Sequence, residues 1–306
     1  MDEYQDEKLP PLTTVRNFRD VAGLVMGIKP GLLYRSAHID DASREDLDIL
    51  RERHKIRSVI DLRGMHPWPM ISTVGLPAKH EFDYTQQYPD QIASTSILGL
   101  NLHYIGLAGP QFGRYIASQV GFWDKAKAFA EIAISPASGI KNWKKFINAK
   151  MSKGRMTVHE IIIDHSYPQI KAVFKVLADP SSYPVLILNQ YGTDLVSLIV
   201  SLILFLLHAD TESIHRDYMQ TYEDLANPQS TFAPKLKAKC TKLRKKWFCW
   251  LLDPRFSNIG RGSFRGTTQR VQSVYAEWLL DPSEVATEAI YASMRRTDGH
   301  VSLVSA

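Results

Sequence analysis

The polar loop Asn189-Gln190-Tyr191-Gly192-Thr193-Asp194 is the stretch of this chain most suited to chemistry. It follows the apolar segment Tyr183-Pro-Val-Leu-Ile-Leu188, read as a strand, and precedes an apolar helix over residues 195–208. A strand, a tight glycine-containing loop and a helix start form a ready cradle for an anion or another ligand. The first N–H groups of the helix have no intrahelical acceptor, and the helix dipole puts positive charge at that end. His103, in the short strand Asn101-Leu-His-Tyr-Ile105, is a second candidate, because imidazole titrates near neutrality and can act as a general base. The competing reading of His103 is a structural histidine.

The elements around the loop follow from periodicity. Residues 1–12, ending in Pro10-Pro11, read as a loose arm, and order begins near Val15. Gly23, Gly27, Pro30 and Gly31 punctuate two short extended pieces, the second being Leu32-Leu-Tyr-Arg-Ser36. A helix is expected over residues 43–54 with Ser43 as N-cap, then a buried strand over residues 57–63 ending in the charges of Asp61 and Arg63. Strand, helix and strand in succession predict an α/β fold. Residues 85–96 break every period, while residues 111–134 and 140–151 read as helices of a lid or insertion spanning about 64–160. An amphipathic helix over residues 169–178 is stopped by Asp179-Pro180. The expected organisation is a flexible arm (1–14) and one domain (15–306) with a helical C-terminal part (226–306).

Several stretches resemble, in order, the atypical tyrosine and dual-specificity phosphatases of the bacterial and fungal lipid-phosphatase-like branch. They are Asn17-Phe-Arg-Asp-Val-Ala-Gly23, Gly31-Leu-Leu-Tyr-Arg-Ser36, Val59-Ile-Asp-Leu-Arg63, Leu177-Ala-Asp-Pro180 before Pro184-Val-Leu186, and Asp217-Tyr-Met-Gln-Thr221. The closing Asp281-Pro-Ser-Glu-Val-Ala-Thr-Glu-Ala-Ile290 and Asp298-Gly-His-Val301 are also similar to the family's last helix and turn. The resemblance implies a protein-tyrosine-phosphatase-like central sheet flanked by helices, with a helical insertion or lid. It covers about 15 to 300, with the middle unmatched.

The family's phosphate loop reads His-Cys-x-x-Gly-Lys-Asp-Arg-Thr-Gly, and set without gaps it falls on residues 188–197. Asn189 then stands at the nucleophilic cysteine and Leu195 at the phosphate-gripping arginine. An amide is no substitute for a low-pKa thiolate, and an isobutyl group cannot make a bidentate fork. Cys249 and Arg255 have the cysteine-to-arginine spacing but contain Pro254 between them and lack the glycines that let N–H groups converge. Gly192 and Asp194 keep their family places. The resemblance implies that Asp194 acts as acid or base on a ligand, while an aspartate there also serves as a helix N-cap. Tyr191 either donates a hydrogen bond into the cavity or fills the space left by a phosphate. Asn189, Gln190, Gly192 and Thr193 would line the pocket. The resemblance implies that Arg19, Asp20, Arg35, Asp61 and Arg63 occupy family positions that border it. Their opposite charges either form an ion-pair network or face the ligand.

The whole composition is that of an ordinary globular chain: 306 residues, 44% hydrophobic and 23% charged. A net charge of +5 is too mild to argue for nucleic acid. Two cysteines, Cys240 and Cys249, exclude a disulfide framework and fit a reducing, cytoplasmic compartment. The acidic, polar start is unlike a secretory signal, and the longest apolar run, at thirteen residues, is shorter than a membrane span. No metal site or redox cofactor is indicated. Positive charge concentrates at residues 235–246, where Leu236, Cys240, Leu243 and Trp247 fall on one helical face. Residues 235–247 are therefore a candidate peripheral membrane contact, the alternative being a solvated helix. Two functions remain open. One is a repurposed enzyme performing acid/base chemistry, such as dehydration, isomerisation or cyclisation, on a small organic metabolite in the former phosphate pocket, as in fungal secondary metabolism. The other is a catalytically dead pseudophosphatase that binds a phosphoprotein or phosphoinositide. The enzyme reading is preferred.

Overall fold

The computed structural model describes residues 11–25, 27–63, 92–97, 99–135, 138–139, 142, 158–226, 289–290 and 292–294. The strands are β1 (Arg19–Asp20), β2 (Leu33–Ala37), β3 (Ser58–Asp61), β4 (Ile92–Ile97), β5 (Leu100–Ile105) and β6 (Val185–Asn189). The helices are α1 (Arg44–Asp48), α2 (Pro110–Ser118), α3 (Phe122–Ile134), α4 (Val158–His165), α5 (Tyr167–Leu177), α6 (Leu195–Leu206) and α7 (Thr211–Ala226). They surround a six-stranded sheet of order β1-β2-β6-β3-β5-β4. The four central strands are parallel, and β1 and β4 close the edges antiparallel.

Strands buried on both faces need apolar residues at every position, and β6 supplies Val185-Leu-Ile-Leu188. Val185 and Ile187 join Leu33 and Ile60 in a core that includes Val173, Leu177, Ile199 and Ile203 from α5 and α6. Leu186 and Leu188 join Val59, Leu102, Leu47 and Leu50 on the other face. Helix α6 is apolar all round because it is buried nearly all round. Ile290 and Met294 also lie in the larger core, and Lys29 N–H donates to the Met294 carbonyl at 2.7 Å, which ties the C-terminal region to the segment before β2.

Ser43 caps α1 as expected, its hydroxyl accepting from Asp46 N–H at 3.1 Å, and a π-helical turn, Ile49–Arg53, completes the helix. The region read as periodless holds edge strand β4, Ile92-Ala-Ser-Thr-Ser-Ile97. A half-solvated edge strand needs no apolar run, so serine and threonine there concealed it. The single helix expected over residues 111–134 is two, because the chain turns at Gln119-Val-Gly121 before α3 starts. Asn142 apart, the helix expected over residues 140–151 lies outside the described residues. So do the basic stretch 235–247, Cys240, Cys249 and residues 1–10. Among the described residues no helix is long and apolar enough to cross a membrane, and no group of three or more His, Cys, Asp or Glu could hold a metal ion.

The end of the expected loose arm is pinned. Asp46 accepts from the N–H groups of Thr13 at 3.1 Å, Thr14 at 2.6 Å and Val15 at 3.2 Å. Burial alone would raise the Asp46 carboxyl, but the hydrogen bonds from Thr14, Thr13 and Val15 outweigh it and hold the carboxyl below its ordinary value. A depressed folded-state value means stability that is present above the unfolded value of about 4 and lost as pH falls through the folded one. The urea midpoint of the wild type is thus expected to fall on acidification below about pH 4. Asp46→Asn should lower the midpoint at neutral pH and flatten that acid limb. An unchanged limb would show that Asp46 carries no such linkage.

Candidate functional site

The loop that follows β6 is folded around the side chain of its own first residue. Asn189 is buried, and its Oδ1 accepts from the N–H groups of Tyr191 at 3.0 Å, Gly192 at 2.6 Å and Thr193 at 3.3 Å. Its Nδ2 donates to the Thr193 carbonyl at 2.7 Å. An asparagine at a turn makes this kind of internal bond readily, and here it gathers three convergent N–H groups on one amide oxygen. Those donors would otherwise form an anion nest. Gly192 has φ +71°, and a Cβ there would lie 2.8 Å from Ala37 N, Asn17 Nδ2 and Ser36 C, so glycine alone fits. Asn17 holds the same turn from outside, its Nδ2 donating to the carbonyls of Tyr191 at 3.1 Å and Gly192 at 3.3 Å.

Arg35 lies on β2 in register with Ile187 of β6 and is fully buried. Its Nη1 pairs with Asp217 Oδ2, and its Nη2 donates to Gly192 O at 3.0 Å and Ser197 Oγ at 2.7 Å. Among the described residues its Nε has no hydrogen-bond partner. Burial lowers the Arg35 guanidinium to about 10, with Asp217 pulling the other way, so it stays charged at neutral pH. Arg19, on β1, grips the same carboxylate, Nε and Nη2 reaching Asp217 Oδ1 at 3.0 and 2.9 Å. Its Nη2 also donates to Asp217 O at 2.7 Å and Thr221 Oγ1 at 2.6 Å, and its Nη1 to Asn17 Oδ1 at 2.9 Å. Asp217 of α7 is thus clamped between two guanidinium groups beneath the loop.

The other bordering charges are also paired. Arg63 donates from Nε to both oxygens of Asp61 at 2.9 Å, and its Nη1 and Nη2 take Asp40. Burial opposes the charge on Arg63, but Asp61 and Asp40 outweigh it and hold the guanidinium above its ordinary value. Asp20 accepts from Ala22 N–H at 2.9 Å and Gly31 N–H at 2.6 Å and shapes the turn before β2. Burial raises its carboxyl in spite of those bonds.

Asp194 stands at the N-cap position of α6 and is exposed, yet its side chain makes no capping hydrogen bond. Its backbone sits at φ +44°, ψ −88°, a region that costs a non-glycine residue about 1–3 kcal/mol. Tyr191 is exposed, Gln190 half-buried and Thr193 buried. His103 is elsewhere: β5 is two strands from β6, Ser94 Oγ lies 2.9 Å from its Nδ1, and its electrostatic neighbour Asp179 precedes β6. Burial lowers the His103 imidazole. The structure therefore gathers Asn189 to Asp194 with Arg19 and Arg35, and leaves His103 apart.

Four contributors were not singled out as site residues in the sequence. Asp217 and Thr221 are four residues apart, one helical turn, and that spacing is the signal that both face one partner. Ser197 sits one turn into α6. His38 directly follows β2, whose last residue, Ala37, is in register with Asn189; its Nδ1 lies 3.6 Å from Asp40 Oδ2.

A mixed sheet whose central parallel strand β6 runs into a glycine-containing loop at the start of a buried helix places the protein in the α/β class. The sequence profile of the tyrosine phosphatase family matches residues 10–299, and the chain belongs to that family. The comparison with curated proteins finds no match. The central sheet flanked by helices that the resemblance implies is present.

Proposed function

We propose that this member of the tyrosine phosphatase family does not hydrolyse phosphate esters, and performs acid/base chemistry on a small, uncharged organic molecule held at the loop. The observation that carries this reading is the amide of Asn189. It accepts from three N–H groups of the loop, where a phosphate would have to accept from them. Supporting it, residues 189–195 contain neither the thiolate nor the arginine that phosphoryl transfer by this fold would need. The two nearby arginines share the Asp217 carboxylate, which offsets one of their two charges and engages both guanidinium groups. An exposed carboxylate at the mouth, Asp194, repels an anion and suits proton transfer.

In a dehydration, the Asp194 carboxylate takes a proton from carbon next to a carbonyl. The electron pair forms a double bond as the neighbouring C–O bond breaks, and the departing hydroxyl takes a proton and leaves as water. His38, which directly follows the β2 residue in register with Asn189 and has its Nδ1 3.6 Å from Asp40 Oδ2, is the imidazole that would deliver that proton. Isomerisation differs only in returning the proton to another carbon.

Thermal unfolding of wild type and Asp194→Asn tests the reading against phosphoinositide headgroups, phosphotyrosine peptides and neutral polyketide-like or terpenoid metabolites. A ligand in excess raises the melting temperature by mass action. Stabilisation by neutral metabolites is expected, with turnover that Asp194→Asn lowers by at least a hundredfold, on the order of a general acid/base contribution. Stabilisation by phosphorylated ligands alone, weakening with salt and indifferent to Asp194→Asn, would make the protein a phosphate-binding pseudophosphatase and overturn the proposal.

A further inference from the structure

His103, which the sheet order keeps away from the loop, has a hydroxyl and a carboxylate of its own. Strands β4 and β5 are antiparallel, and their register puts Ser94 directly opposite His103 and Ser96 directly opposite Asn101. Side chains directly opposite across a ladder start about 4.5–5.5 Å apart at Cβ, so the strand pairing fixes both meetings. Ser94 Oγ lies 2.9 Å from His103 Nδ1, and Ser96 Oγ donates to Asn101 Oδ1 at 3.0 Å. One strand further in, Ser58 of β3 is in register with Asn101 and Ile60 with His103. Ser58 is fully buried, and among the described residues its Oγ has no hydrogen-bond partner. Ile60 and Ile105 mark this as the face of the larger core. Its outer corner nevertheless carries three serines, an asparagine and a histidine, a polar group that packing alone does not call for.

Ser94 is exposed and His103 half-buried, so a solute can reach the pair. Burial lowers the imidazole, with Asp179 pulling the other way, so His103 is a neutral base at pH 7. Asp179 is charged there, because hydrogen bonds from Ser181 hold its carboxyl below the ordinary value. With the ring proton on Nε2, Nδ1 accepts from the Ser94 hydroxyl. A hydroxyl on a neutral imidazole, with a carboxylate acting on the same ring, is the arrangement that activates a serine as a nucleophile. We infer that Ser94 and His103 form a second site, independent of the β6 loop, which cleaves small carboxylic esters. Ser94 Oγ bonds to the ester carbonyl carbon as its proton passes to Nδ1, and the carbonyl π pair moves onto oxygen. The Nδ2 donors of Asn101, one register pair along on the same face, stabilise that oxygen. The C–O bond to the alcohol then breaks, and the alcohol leaves with the proton from Nδ1. Water, giving its proton to the same nitrogen, releases the acid and restores Ser94. The charge of Asp179 stabilises the imidazolium formed between the transfers.

An alkyl fluorophosphonate probe tests the site on the full chain, because an activated serine displaces its fluoride and stays phosphonylated. Peptide mass spectrometry of the wild type, which needs no variant, is expected to find the label on Ser94, and p-nitrophenyl butyrate is expected to turn over. Ser94→Ala should abolish both reactions. His103→Gln should slow both at least a hundredfold, on the order of a general-base contribution, with an unchanged circular dichroism spectrum. Asp179→Asn should slow them only several-fold, since its carboxylate is exposed and screened by water. Absence of the label from the wild type overturns the inference and leaves the Ser94 and His103 contact a structural hydrogen bond. A label on a different residue, a label on Ser94 that forms as fast in His103→Gln, or labelling without ester turnover overturns it equally.

Discussion

Replacement of Asp217 by alanine is expected to lower the unfolding free energy by about 3–5 kcal/mol, the cost of leaving a buried charge without its partner. Arg35 is fully buried and Asp217 nearly so, and the carboxylate is shared with Arg19. Removing it leaves two guanidinium groups facing one another in a poorly solvated space, with Arg35 retaining, among the described residues, Gly192 O and Ser197 Oγ. The loss should appear as a lower urea midpoint, and in the limit as failure to accumulate folded protein. Arg35→Met combined with Asp217→Leu removes the fully buried charge and its partner and should recover part of the loss, Arg19 being left with Asn17 Oδ1 and Thr221 Oγ1, because a buried pair is often no better than a well-packed apolar one. A single Asp217→Ala variant as stable as the wild type would mean that the clamp does not hold the loop. Asp217 belongs to α7 and Arg35 to β2, so the clamp also fixes the loop's height above the sheet through the Gly192 carbonyl.

Asn189→Ala should have the second largest effect, about 2–3 kcal/mol, since it strips three loop N–H groups of their acceptor and the Thr193 carbonyl of a donor. The same change opens the nest. Sulfate should then stabilise the variant more than the wild type, by about 1.4 kcal/mol at a tenfold excess over its dissociation constant. The comparison separates two accounts of the loop. If the cradle is self-filled, only the variant responds to the anion. Equal responses of wild type and variant would show that the amide does not occupy the anion position, and would remove the main support for a neutral ligand.

Much of this architecture is legible in the order of residue types. Continuous apolar strands, the Ser43 cap, the amphipathic α5 stopped before Asp179-Pro180 and the all-apolar α6 are short-range patterns, set by periods of two and 3.6 residues and by capping chemistry. The loop composition is equally local: its glycine, its aspartate, and asparagine and leucine where phosphoryl chemistry would need a thiol and an arginine. Edge strand β4 was hidden because an edge is solvated and needs no apolar period.

The sequence by itself thus determined the fold class, the strand–loop–helix unit and the residues offered to the site. The tertiary structure alone decided what those residues do to one another. Arg35 meets Asp217 across 182 positions and Arg19 meets it across 198, and no local pattern announces a pairing at that range. Sheet order puts His103 two strands from the loop and His38 beside it, although neither spacing distinguishes them. Asn189 turns inward onto its own loop because the close approach of Gly192 to β2 folds the N–H groups over the amide. Charge partners and donor directions depend on how distant strands are ordered, a property of the closed chain that short-range periodicity does not carry.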